Sequence, residues 1–253
     1  MSSGQSRRLR PGGYAACAAG HPSFGPRTMT FAAQDLKDAL KGLDSLRYGS
    51  LDLPAALRLI VDTTHALFSV DGAALMLIDG ELALRNAAVS DERLSHLERL
   101  QLRHGTGPCI DAFERRELVS SDDLADEERW GEFPAEALEQ GMRALLVSPI
   151  PYASDAVGVV AVFSSEPHAW TPEGELAVMA FTDLAALTIT STLRSEQRGE
   201  TSEQLQRALD ARVVIEQAKG VLVAQEGLTP RAAFERLRAD ARRSRRRLAD
   251  LAA

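Results

Sequence analysis

Apolar residues along this chain recur with two spacings, and the switches between them outline its elements. Leu36, Leu40 and Leu43 fit a first helix. A second is expected after Asp52, a plausible N-cap followed by Pro54 in the first turn, with Leu53, Ala56, Leu57, Ile60, Val61, Thr64 and Phe68 on one face. The run from Gly72 to Ile78 then reads as a strand, Asp79-Gly80 as a hairpin turn, and Glu81 to Val89 as the partner strand. Ser90 is placed to cap a helix bearing Leu94, Leu97, Leu100 and Gln101, and the loop from His104 to Cys109 follows. A short strand at Glu117–Ser120, short helices broken at Pro134, and strands at 143–150 and 156–163 come next. Thr171-Pro172 starts a long helix with Glu173 and Glu175 near its positive end. Helices alternating with antiparallel strands predict an α+β class, a sheet with helices on its faces.

Beyond a polar stretch at Ser195–Ser202 the period becomes helical throughout. Leu205, Ala208, Arg212, Ile215, Ala218 and Leu222 recur at steps of three and four, while Leu209, Val213 and Val221 widen the apolar surface. Arg212 and Lys219 sit in this band seven residues apart, near one face. Gly227 ends the helix, Thr229 caps the next with Pro230 in its first turn, and a third is expected from about Ser244. In the second of these helices Arg238 and Arg242 share a face at i,i+4, and Arg245 would follow at i+7 were the helix to continue. Such a row of cations suits a phosphate track; the bland alternative is an ordinary charged helix face.

The order of residues carries more than the period does. Ala211-Arg-Val-Val-Ile-Glu-Gln-Ala-Lys-Gly-Val-Leu222 and Thr229-Pro-Arg-Ala-Ala-Phe-Glu-Arg-Leu-Arg238 resemble the ANTAR family, three-helix RNA-binding output modules of bacterial antitermination regulators. The resemblance covers Ser202 to Ala253 and implies RNA contacts by Arg212, Lys219, Arg238, Arg242 and Arg245. Two departures stand out. Arg245 occupies a position where the family usually has Asn, which trades a specific hydrogen bond for charge. Family members often continue their third helix past the position of Ala253, so this module is expected to be marginally stable alone.

The preceding region, through Gly105-Thr-Gly-Pro-Cys109, Asp123-Leu124, Arg129-Trp-Gly-Glu-Phe133, Gly141-Met-Arg143 and Gly158-Val-Val-Ala-Val162, resembles a GAF sensory domain. The expected division is a disordered extension over 1–30, a GAF-like domain over 31–192, a helical linker over 193–201 and an ANTAR module over 202–253. Met29 just precedes the first periodic segment, so the residues before it are expected to reflect an upstream start assignment. Together the resemblances imply a regulator in which two ANTAR modules of a homodimer hold RNA stem-loops, with a small-molecule ligand as a possible partner of the GAF domain. The cofactor is unknown on this reading. Leu176, Met179, Ala180, Leu184, Leu187 and Leu193 give the long helix more apolar positions than one sheet face needs, which points to the dimer.

Charge agrees with that division. Residues 1–30 carry four basic and no acidic side chains, 31–200 carry 14 basic and 29 acidic, and 201–253 carry 11 basic and seven acidic. The C-terminal segment is the part suited to face a polyanion, within a chain of net charge −7. Hydrophobic content of 45% is that of an ordinary folded core. No apolar run approaches bilayer length, no signal peptide is recognisable, and no disulfide framework is indicated by Cys17 and Cys109, so a cytoplasmic chain without a membrane partner is expected.

Candidate chemistry is sparse. Cys109 with nearby His104 suggests a nucleophile and base, but no third orienting group is identifiable. Cys109 and Trp130 are candidates for a ligand pocket or a redox site, against plain core packing. His96, His104, Cys109 and His168 lack ligand-like spacing, so no metal site is expected. Two rival functions stay open: a DNA-binding regulator using the same basic helices, and a redox sensor or enzyme centred on Cys109.

Overall fold

The computed structural model describes residues 27–28, 41, 51–68, 70–153, 155–194 and 200–253. The first expected helix, nearly all of the N-terminal extension and most of the linker around Gly199 lie outside the described residues. Arg27–Thr28 is an exception to the expected disordered extension: it pairs in parallel with His168–Ala169.

From Leu53 the order is α1 (Leu53–Phe68), β1 (Gly72–Ile78), β2 (Leu84–Val89), α2 (Glu92–His104), α3 (Pro108–Arg115), β3 (Val119–Ser121), α4 (Phe133–Glu139), β4 (Ala144–Tyr152), β5 (Asp155–Ser164) and α5 (Pro172–Arg194). Three helices complete it: α6 (Glu200–Glu226), α7 (Pro230–Ser244) and α8 (Leu248–Ala252). The five strands form one antiparallel sheet in the order β2-β1-β5-β4-β3. Every residue of β1 is buried, and so is nearly all of β5, because helices cover both faces. On one face α1 and α5 pack together, with Phe68 and Phe181 edge to face at 5.6 Å. Helices α2 and α3 pack on β2, β5 and β4 from the other side.

Local signals account for most boundaries. Asp52 caps α1 by accepting from the Ala55 N–H at 2.9 Å. The cap of α2 is Asp91 rather than Ser90, accepting from Arg93 N–H at 2.8 Å. Ser90 instead accepts from the Ala73 N–H at 2.8 Å and ties β1 to the helix start. Pro134 starts α4 rather than breaking it, since a proline in the first turn loses no helical hydrogen bond. The third C-terminal helix begins at Leu248, not Ser244, because Arg245 caps α7 in the left-handed conformation.

Helix α5 is more apolar than expected. Pro172–Leu193 has a mean hydropathy of 1.6 and the length of a bilayer span, with 33% of that window buried. Val178, Phe181, Ala185, Ile189 and Leu193 face the core, while Leu176 and Leu187 are 65% and 69% exposed. Its buried side chains pack on the sheet and on α1, so part of its apolar character belongs to the core.

Gly158 lies where β5 crosses β1, opposite Leu77. A Cβ there would fall 2.0 Å from the Met76 carbonyl oxygen and 3.1 Å from Leu77 Cα, so the two backbones approach as only glycine permits. Gly158→Ala is therefore expected to destabilise the sensor domain by about 3 kcal/mol. Urea unfolding followed by Trp fluorescence reads this directly, and an unchanged midpoint would show that the strands can separate at no cost.

Candidate nucleic-acid interface

Helix α6 is shared between two cores. Leu205 and Ala208 are buried in the same cluster as the sheet residues. Ile215, two turns after Ala208, is buried against Leu237, Ala241 and Leu248 of α7 and α8, with Ala218, Leu222 and Phe234 packed around them. The expected stripe is thus present but serves two domains. Val213 and Val221 do not extend it, being 59% and 51% exposed.

Arg212 sits at the changeover. Its side chain is 13% exposed, and Nη2 donates to Asp155 Oδ1 at 2.6 Å while Nη1 donates to the Ala156 carbonyl. The guanidinium lies 5.0 Å from the Phe113 ring centre, and Arg116 Nε donates to the same Asp155 oxygen at 2.9 Å. Burial pushes the Arg212 pKa down from the usual guanidinium range, with Asp155 acting in the opposite direction. Arg212 is therefore bound to the sensor rather than presented to solvent.

Its neighbours share that enclosure. Lys219 donates to Glu216 at 2.8 Å and lies 5.6 Å from the Phe234 ring centre; Arg238 meets Glu235 at 3.4 Å and shares that ring at 5.6 Å. Arg231, which no sequence pattern singles out, donates Nη2 to the Gly105 carbonyl at 2.7 Å. These side chains, with Arg116 and Arg212, line a cleft of about 520 Å³ between the two domains.

Arg242 and Arg245 stand apart. Both are exposed, and neither side chain has a hydrogen-bond or ion-pair partner among the described residues. Because the Arg245 backbone turns left-handed at φ 54°, it leaves the line that Arg238 and Arg242 would continue. Beyond the turn, Arg247 is also exposed with its side chain unpaired among the described residues, and it lines a second cleft, beside Arg207. The consecutive arginines at this helix junction were the signal available in the sequence, but their turn was not.

The sensor motif has a structural explanation. Gly105 caps α2 with its N–H on the Gln101 carbonyl at 2.8 Å, and Pro108 opens α3. The Gln101 side chain folds into the corner and accepts from the Cys109 N–H at 2.8 Å. A Cβ on Gly107 would come within 2.4 Å of that side chain, so the second glycine makes its room. Trp130 is fully buried, donating to Asp111 at 3.0 Å and packing edge to face on Phe133 at 6.1 Å. Neither Cys109 nor Trp130 lines the cleft at Arg212 or the second one beside Arg207. Both are core residues.

His104 does have an orienting carboxylate, which the sequence did not reveal: its Nε2 lies 2.9 Å from Glu136 Oε1. With Glu132 the three place donor atoms within 4.8 Å of one another, in contrast to the histidine set weighed from the sequence. Arg103 already meets Glu136 at 2.5 Å, so the cluster is a charge network joining α2 to α4.

This geometry defines a sensor-type α+β domain joined by a shared helix to a helical output. The chain belongs to the GAF domain family, whose model matches residues 52–189, and residues 203–253 match the ANTAR domain. It is a regulatory protein of that two-domain type. Among solved structures, it is similar to the GAF domain of a phosphoenolpyruvate-protein phosphotransferase from Acinetobacter, at 16% identity and TM-score 0.50, covering 64% of this chain and 96% of that one. The corresponding domain from Coxiella burnetii gives 20% identity and TM-score 0.50, over 62% and 95% of the two chains. These likenesses speak to the fold alone. No curated protein matches the sequence significantly.

Burial pushes the Cys109 thiol up to about 12, away from the reactive thiolate. In a Cys17→Ser chain, native protein at pH 8 should leave Cys109 unmodified by a disulfide reagent and titrate fully only on unfolding. The fold favours the neutral thiol, so its contribution to stability is full below the ordinary value of 9.0 and is lost as pH rises toward 12. Rapid native labelling would restore the redox reading.

Proposed function

We propose that this protein is an RNA-binding transcription regulator acting by antitermination, with its ANTAR output governed by the GAF domain. The carrying observation is the free cationic turn of Arg242, Arg245 and Arg247 on the module that matches the ANTAR family. Phosphate oxygens would be held there by guanidinium donors, and the scarcity of exposed aromatics argues for backbone contact over base stacking. Lys219 and Arg238 extend the surface toward the cleft, and Arg212 lies at its deep end. Two such modules in a dimer would grip tandem stem-loops, favouring an antiterminator over a terminator hairpin.

The dimer is part of this reading. Leu176, Met179 and Leu187 lie exposed along one side of α5, and pairing that stripe with its own copy would remove apolar surface from water on both chains at once. Linked modules would then meet two loops at raised effective concentration.

Replacing Arg242 and Arg245 together by Ala should weaken hairpin-RNA binding at least tenfold and lower the log–log salt slope by about 1.5, as expected for two lost phosphate contacts. Equal or tighter binding to duplex DNA of the same length would favour the DNA-binding alternative. Leu176→Glu with Leu187→Glu should give monomers by ultracentrifugation and lose tandem-hairpin affinity more than single-hairpin affinity; a monomeric parent chain would refute the dimer.

A further inference from the structure

The cations of the output module fall into three sets: those paired within the module, such as Lys219 with Glu216 and Arg238 with Glu235, those whose side chains are free, and those held by the sensor. Arg242, Arg245 and Arg247 are free among the described residues. Arg212 and Arg231 are both spent on sensor atoms: the Asp155 carboxylate and Ala156 carbonyl for the first, the Gly105 carbonyl for the second. A phosphate cannot reach Arg212 while Asp155 holds the position it would take, with Phe113 against the guanidinium. We propose that the β4–β5 hairpin is an autoinhibitory latch, in which Asp155 stands in for an RNA phosphate on Arg212 and keeps the cleft-facing half of the RNA surface closed.

The contact is built to open. Arg212 Nε is buried without an acceptor, so the docked guanidinium is incompletely satisfied. Asp155 is divided between two arginines, Arg116 and Arg212, whose like charges oppose each other. Around them lies a cleft of about 520 Å³, beside the apolar contact that Leu82 of the sensor makes with the output core. An ion pair that is desolvated, shared and poorly packed contributes little net stability, yet removing one partner shifts the balance strongly. Opening would release Arg212 and Arg231 from sensor atoms and uncover Lys219 and Arg238, which line the same cleft.

This latch rests on the RNA-binding reading, and the test separates the two. Full-length protein with Asp155→Asn should bind a fluorescein-labelled RNA of two adjacent hairpins at least about fivefold more tightly than the parent, within the usual range of coupling between sites. Arg116→Gln leaves Asp155 to Arg212 alone and should move affinity the other way. A merely destabilising substitution would not produce opposite signs. An RNA-free readout runs beside it: spin labels at Glu117→Cys and Ala239→Cys, both exposed positions, in a Cys17→Ser background. Their distance distribution should broaden and lengthen in Asp155→Asn and narrow in Arg116→Gln. Unchanged distances and unchanged affinity in Asp155→Asn would overturn the latch. If the distances respond but no variant binds RNA, the domain contact stands, and its RNA role falls with the functional reading.

Discussion

Helix α6 has 27 residues and runs about 40 Å without a break, so its two ends cannot move independently. Leu205 and Ala208 fix its first half in the sensor core, and Ile215 fixes its second half in the small core of α7 and α8. The output module is consequently aimed by the sensor. A flexible joint after residue 201 would have left the arginines free whatever the sensor did. Here the last buried sensor contact and the first buried output contact are seven residues apart, two turns of one rigid rod, and Arg212 lies between them on the same face. That position explains how a basic residue within an apolar stripe can be both buried and charged: its carboxylate partner comes from the neighbouring domain.

The same rod explains why charge is distributed so unevenly. The sensor is acidic and the C-terminal segment basic, and the two meet at Asp155–Arg212 and across a cleft whose rim carries both signs. Opposite net charges favour docking within one chain as much as they favour RNA. Whichever polyanion is present competes with the protein's own carboxylates, so salt acts on both equilibria. At Lys219 and Arg238 the competitors are Glu216 and Glu235 on the same helices, i,i+3 pairs whose exposed carboxylates yield readily. Arg212 differs because its competitor is fixed to a hairpin of another domain.

Much of this was legible in the residues. The β1 run, the long helix from Thr171-Pro172, the Thr229 cap and the α+β class follow from period and capping alone, because each depends on neighbours within one element. What was not legible depends on contacts distant in sequence. Arg212 and Asp155 are 57 residues apart, and His104 and Glu136 are 32 apart. Cys109 and Trp130 invited chemistry as isolated residue types, yet the chemistry of a thiol or an indole is decided by burial that no local pattern reports. Arg245 is instructive for another reason. Counting i+7 from Arg238 assumes a helix, and one left-handed residue was enough to turn the following arginines onto a different surface.

The strength of the interdomain contact bears on whether it can regulate anything. A hydrogen bond to a charged group contributes about 1.5–3 kcal/mol, and desolvation of two partly buried ions takes back part of that. A net preference for the docked form near 1.4 kcal/mol would correspond to about ten closed molecules for each open one. Far stronger docking would demand more binding free energy than a few phosphate contacts supply, and far weaker docking would leave the sensor without influence. At a ratio of this order, a change in the sensor need not create a new output conformation. It need only alter how Asp155 is presented, through the β4–β5 hairpin or through Arg116 at the end of α3, to shift the population of modules that expose Arg212. The shared helix then converts a local change in one carboxylate into the orientation of the whole basic surface.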